Sequence, residues 1–176
     1  MLMSELYKSI LSKGSKMDFH LITMKKTRKK PKTGDVFVVQ PIEGVYYYGK
    51  VIEESHDCSF QIGSGWPLIY LYEEHSNELI MPETLSNILV APLITNCRPW
   101  SMGYLYTIGN IPVTKKEMEL DCGFEDCLLT DFNYSNCFYR NVKGEKINHK
   151  PKYTTIFGLS SFSGINYELC KTLGIE

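Results

Sequence analysis

No run of apolar residues in this chain approaches the ~20 needed for a membrane-spanning helix. The opening "MLMSELYKSILSKGSKM" also lacks the roughly 7–15-residue apolar stretch of a secretion signal. Together these absences argue against a membrane partner and point to the cytoplasm. Catalytic signatures are missing too: there is no G-x-S-x-G elbow, P-loop, dinucleotide fingerprint or H-E-x-x-H. Histidine is scarce, and His20, His56, His75 and His149 stand apart in polar contexts with no visible partner to make a general base. All four read as surface residues. Cys58, Cys97, Cys122, Cys127, Cys137 and Cys170 are scattered, which suits reduced, buried thiols better than a disulfide framework. Cys122, Cys127, Cys137 and His149 are too loosely spaced for the paired ligands of a zinc module. In "HDC" (56–58) neighbouring side chains alternate faces and do not converge. The expectation is therefore no catalytic set and no metal.

What is present is an ordinary globular composition with an uneven charge. The 176 residues are 43% hydrophobic, enough for one domain with a sizeable core. Residues 1–32 hold nine of the nineteen Lys/Arg against Glu5 and Asp18, a charge of +7. The other 144 residues hold ten basic and eighteen acidic side chains, a charge of −8. This divides the chain into a basic tail over 1–32, disordered or briefly helical at "SELYKSIL", and an acidic domain over 33–176. Met17 and Met24 offer internal starts within the tail. A body at −8 disfavours nucleic acid, whose binding rests on neutralising phosphates.

From Gly34 the pattern is β-rich. "DVFVVQP" and "VYYYGKVIE" read as a hairpin turning at "IEGV". In the second strand Val45, Tyr47, Gly49 and Val51 share one face, and Tyr46, Tyr48, Lys50 and Ile52 the other. Gly49, mid-strand, marks a bulge, a barrel corner or a close backbone approach. "CSFQI" and "PLIYLYE" read as further strands joined by "GSGW". "PETLSNILVAPLI" reads as a short helix, "MGYLYTIGN" as a strand, "CFYRNVKGEKINH" as a hairpin and "KYTTIFGL" as a strand. "SGINYELCKTLGIE" reads as a C-terminal helix capped by Gly174. The fold class is mainly β (α+β): a small curled antiparallel sheet or partly open barrel with one or two short helices.

Carboxylates cluster at Glu53, Glu54 and Asp57, at Glu73, Glu74 and Glu78, and at Glu117, Glu119, Asp121, Glu125 and Asp126, the first two groups where strands end. Tyr46 and Tyr48 share one strand face, and Tyr70 and Tyr72 another. Tyrosine beside carboxylate makes a good interface anchor, because Tyr covers much area with little rotamer loss. The candidate partner-binding set is therefore Tyr46, Tyr48, Glu53, Glu54, Asp57, Tyr70, Tyr72, Glu73 and Glu74.

Three segments in order carry a resemblance: "KPKTGDVFVVQPIEGVYYYGKVIE" (30–53), "LVAPLITNCRPWSMGYLYTIGNIPV" (89–113) and "FGLSSFSGINYELCKTLGI" (157–175). Together they resemble the immunity protein 26 family of bacterial polymorphic-toxin systems. The matching positions are Gly34, Asp35, Phe37, Gly49, Val51, Pro92, Trp100, Gly103 and Tyr104, most of them architectural in character. The resemblance implies a cofactor-free cytoplasmic antidote that binds a toxin domain delivered by a neighbouring cell, as in contact-dependent inhibition. An acidic face implies a basic toxin, occluded sterically. Two alternatives stay open. One is a phosphotriesterase-like small-barrel hydrolase, a label some relatives carry, although no binuclear-metal histidine set is present. The other is a nucleic-acid-binding or ribonuclease barrel using "MKKTRKKPK".

Overall fold

The computed structural model describes residues 18–58, 63–127 and 137–175. The piece "SELYKSIL" lies outside these. In chain order the described elements are β1 (Asp35–Ile42), β2 (Val45–Cys58), β3 (Gly63–Ser76), β4 (Ile88–Thr95), α1 (Arg98–Met102) and β5 (Leu105–Asn110). There follow α2 (Lys115–Met118), β6 (Cys122–Cys127), β7 (Cys137–Asn141), β8 (Lys146–Ile147), β9 (Tyr153–Ile156), β10 (Leu159–Ser160) and α3 (Phe162–Leu173). The larger sheet runs β10-β4-β3-β2-β1-β5 and the smaller β8-β7-β6-β9. The chain is mainly β with a C-terminal helix, as its patterning implies, and the described residues form two open sheets with no closed barrel. Pairing is antiparallel except for β10 with β4 and β6 with β9.

Period-two alternation decides what lies on each face of the larger sheet. Phe37, Val39, Val51, Ile69 and Leu71 point to one side, where they meet Trp100, Leu21 and the helix residues Ile165 and Leu169. Ile52, Leu68, Tyr70 and Tyr72 point to the other, against Cys122 and Phe124 of the small sheet. Val36, Val38 and Tyr48 continue that second face toward β5. Gly49 sits opposite Phe37 in register. A Cβ there would come within 2.3 Å of the Phe37 ring, so the glycine is what lets the ring lie flat over the strand. Phe37 in turn meets Trp100 edge-on at 5.3 Å, and the indole N–H donates to Thr107 Oγ1.

Several expectations need correction. The stretch read as a helix after Pro82 supplies β4, an inner strand buried on both faces, and a fully buried strand is a continuous apolar run that periodicity cannot tell from a helix. "GSGW" lies within β3 rather than between two strands. Residues 18–32, within the segment read as a disordered or briefly helical tail, are tied to the body: Ile22, Met24 and Thr27 donate main-chain hydrogen bonds to Gln40, Gly103 and Trp100, and Leu21 is in the core. His56 is buried, not a surface residue. Cys127 and Cys137 face each other across β6 and β7 and form a disulfide, so the expectation of reduced thiols fails for this pair. Sequence spacing could not bring them together; the hairpin register does.

Candidate partner-binding surface

The β1–β2 entrance is braced by polar bonds. Gly34 takes φ +85°, a left-handed conformation that suits glycine. Asp35 accepts from Lys32 N at 2.9 Å through one oxygen and from Asn110 Nδ2 at 3.1 Å through the other, joining the turn to β5. Gly103, also left-handed, ends α1, and Tyr104 stacks on Phe162 of α3 at 5.2 Å. Pro92, after a cis peptide, offers its carbonyl to Thr155 Oγ1 of the small sheet. Val51 is in the core. The positions carrying the family resemblance thus join elements rather than presenting groups outward.

The tyrosines expected at the surface divide. Tyr48, Tyr70 and Tyr72 are at most 3% exposed, because the small sheet and the segments around α2 cover Tyr70 and Tyr72, and loop 77–87 and β5 cover Tyr48. This removes them from any contact surface; only Tyr46 remains half-buried. Tyr72 belongs to an interior network that the sequence did not reveal. Its hydroxyl donates to Glu117 Oε1, and Lys50 Nζ reaches both Glu117 oxygens at 2.9 Å and Pro112 O at 3.0 Å. Thr114 closes a capping box with the same carboxylate. Burial pushes the Glu117 carboxyl up, but bonds from Tyr72, Thr114 and Lys50 outweigh it and hold it below the usual range. Burial and the neighbouring Glu117 push the Tyr72 hydroxyl far up. Burial also raises the Cys122 thiol, to about 11, while its contact with Tyr70 works the other way. The alternation of Lys50 with Tyr48 and Ile52 placed it on this covered face, but nothing in the sequence named its partner 67 residues on.

The acidic groups do not form one patch. Register pairs Tyr47 with His75 at one end of the β2–β3 ribbon and His56 with Trp66 at the other. At ~3.3 Å per residue, Glu53 and Glu54 lie about 20 Å from the end that carries Glu73, Glu74 and Glu78. Glu53 is bonded to His56 Nδ1 at 2.7 Å, and His56 Nε2 to Val142 O, tying the ribbon to the small sheet. Glu54 accepts from Thr33 N and Lys32 Nζ, which hold its carboxyl below the ordinary range. Asp57 is exposed.

At the opposite end, Glu74 turns inward. Its Oε1 accepts from the main chain and side chains of Ser86 and Asn87 at 2.9–3.2 Å, pinning the far end of loop 77–87. Tyr48 OH donates to Ile80 O at 3.0 Å, and Met81 lies over Gly109, where a Cβ would come within 2.3 Å of its sulfur. Held this way, the loop exposes Leu79, Ile80 and Met81 by 48%, 53% and 39%. Three consecutive large apolar side chains in solvent, between exposed Glu78 and Glu83, form an apolar crest with acidic flanks. From residue 51 to residue 97 there is no Lys or Arg and there are seven carboxylates; Lys116, from α2, shares a cavity with Leu85 and Ser86 at the far end of the loop. The sequence signal was "ELIMPE", an apolar triplet between acids, too short for a periodicity argument.

The family model described as Immunity protein 26 matches residues 32–128, more than half of the chain. The chain belongs to this family. No curated protein and no solved structure matches it. In this immunity-family chain the matched stretch contains β1 to β6 and the apolar crest; residues 18–31 and the elements from β7 onward lie outside it. One group of Glu125, Cys127 and Cys137 has metal-like proximity, but both of its sulfurs are in the disulfide. No helix among the described residues is long and apolar enough to cross a membrane.

Proposed function

We propose that the protein neutralises a toxin domain by stoichiometric binding, with the apolar crest as its anchor and the acidic flanks selecting a basic toxin surface. Membership of the immunity family is the observation that carries the reading. The crest supports it physically. Interfaces draw most of their free energy from a few desolvated apolar or aromatic anchors, while surrounding charge sets encounter rate and rejects wrong partners. Because Tyr48, Glu74 and Gly109 already hold the loop, little ordering entropy opposes binding. Around the crest an interface of about 1,600 Å² in total would cover an active-site mouth. No turnover is required, and the antidote acts mole for mole.

The test is co-expression with the toxin gene adjoining this one. Growth should be restored by the wild type and lost with Ile80→Asp, a surface substitution that leaves the thermal midpoint in place. If the toxin still kills while abundant, soluble wild-type protein is present, the reading is wrong. If Ile80→Asp protects as well as the wild type, the toxin binds elsewhere on the protein.

A further inference from the structure

The basic segment that precedes the family match is built into the fold. Met24 N and Thr27 N bond to Gly103 O and Trp100 O, Lys32 N bonds to Asp35, and Pro31 is buried, so residues 24–32 form a strap fixed at both ends. Between strap and body runs an open groove of about 880 Å³. Arg28, Lys29, Lys30 and Lys32 line the strap side, and Arg98 and the half-buried indole of Trp66 line the body side. The one carboxylate in the lining, Glu54, is already engaged by Lys32 and Thr33. Arg28, Lys29, Lys30 and Arg98 are exposed and have no carboxylate partner among the described residues.

We propose that this groove binds a single strand of nucleic acid without sequence preference, its phosphates on the strap cations and a base against Trp66. Backbone-tracking cations beside an aromatic ring are the two parts such sites combine. An acidic peptide would use the cations but has no need of the ring. The acidic balance of the rest of the chain does not cancel the site. Near the groove the ribbon adds Glu53, which is bonded to His56, and exposed Asp57, paired in register with Ser64. Arg28, Lys29, Lys30 and Arg98, four cations unpaired among the described residues, still outnumber the carboxylates at this end. Glu73, Glu78 and Glu83 belong to the far end of the β2–β3 ribbon, roughly 25 Å along it from Gly65 at ~3.3 Å per residue. Physiological salt screens exposed charges beyond about 8 Å.

The experiment uses the full chain and a fluorescent 12-nucleotide oligo-uridine, followed by anisotropy. With about four phosphates neutralised and a slope near −0.7 per phosphate, the Kd should weaken roughly 50-fold between 50 and 200 mM salt. Reversing Arg28, Lys29 and Lys30 to Glu, three exposed positions that do not disturb the core, should weaken binding at 50 mM at least as much. Trp66→Ala should weaken it about tenfold. A second readout needs no substitution: Cys97 lines the groove and is the exposed free cysteine, so bound strand should slow its alkylation. No binding at 50 mM, or binding indifferent to the strap reversal, overturns the proposal. So does displacement by poly-glutamate at equal charge, with Trp66→Ala silent and Cys97 still protected, which would assign the groove to an acidic polypeptide.

Discussion

Replacing Lys50 by Met leaves the Glu117 carboxylate inside the protein without its cation. The Lys50 and Glu117 side chains are only 2% and 9% exposed, and the ammonium spends its donors on both carboxylate oxygens and on Pro112 O. Removing one partner of such a pair costs about 3–5 kcal/mol, mostly the penalty of the charge left behind. Adding Glu117→Gln removes that charge while keeping an acceptor for Tyr72, so the double variant should regain at least about 2 kcal/mol of the loss. Acid should narrow the gap, through the variant down to about pH 4.5 and through the wild type only below it. In the wild type the Glu117 carboxyl lies below its ordinary 4.5, so its contribution is fully present above that value and is lost as pH falls through the lowered one. In Lys50→Met the carboxyl, left with burial and fewer bonds, protonates more readily, and its penalty fades as pH falls toward 4.5. Urea unfolding of the three proteins at pH 7 and pH 4.5 measures this. A single-variant cost under about 1 kcal/mol at pH 7, or a gap that widens toward acid, would refute the reasoning.

Other substitutions probe the remaining joints. Gly49→Ala puts a methyl within 2.3 Å of Phe37 and 2.9 Å of Leu71 and should destabilise by about 1–3 kcal/mol in a urea titration, from overpacking. Glu74→Ala frees Ser86 and Asn87 and should raise amide hydrogen exchange across 77–87 while the exchange of β1 and β4 stays unchanged. The Cys127–Cys137 bridge spans ten residues, for which loop-closure entropy gives about 2.7 kcal/mol. Replacing both by Ser should cost that much, and denatured, unreduced protein should alkylate at four thiols rather than six.

Much of the architecture was legible because it rests on local chemistry. The hairpin at Glu43–Gly44, the two-faced alternation of β2, the close approach at Gly49 and the Gly174 cap each depend on residues near in sequence. β4 was misread because a strand buried on both faces loses its alternation. The buried tyrosines were misplaced for a related reason: alternation says which face a side chain takes, and only a second sheet 50 residues on says whether that face is covered. Pairing across a long separation was likewise invisible, as with Lys50 and Glu117, and so was the hairpin register that brings Cys127 to Cys137. The charge pattern shows the division most plainly. Composition and order alone dictated a basic beginning and an acidic remainder. Which cations line a groove, and which carboxylates brace a turn, pin a loop or flank an apolar crest, depended on strand register, because hydrogen bonds and screening act over a few ångströms of space and take no account of distance along the chain.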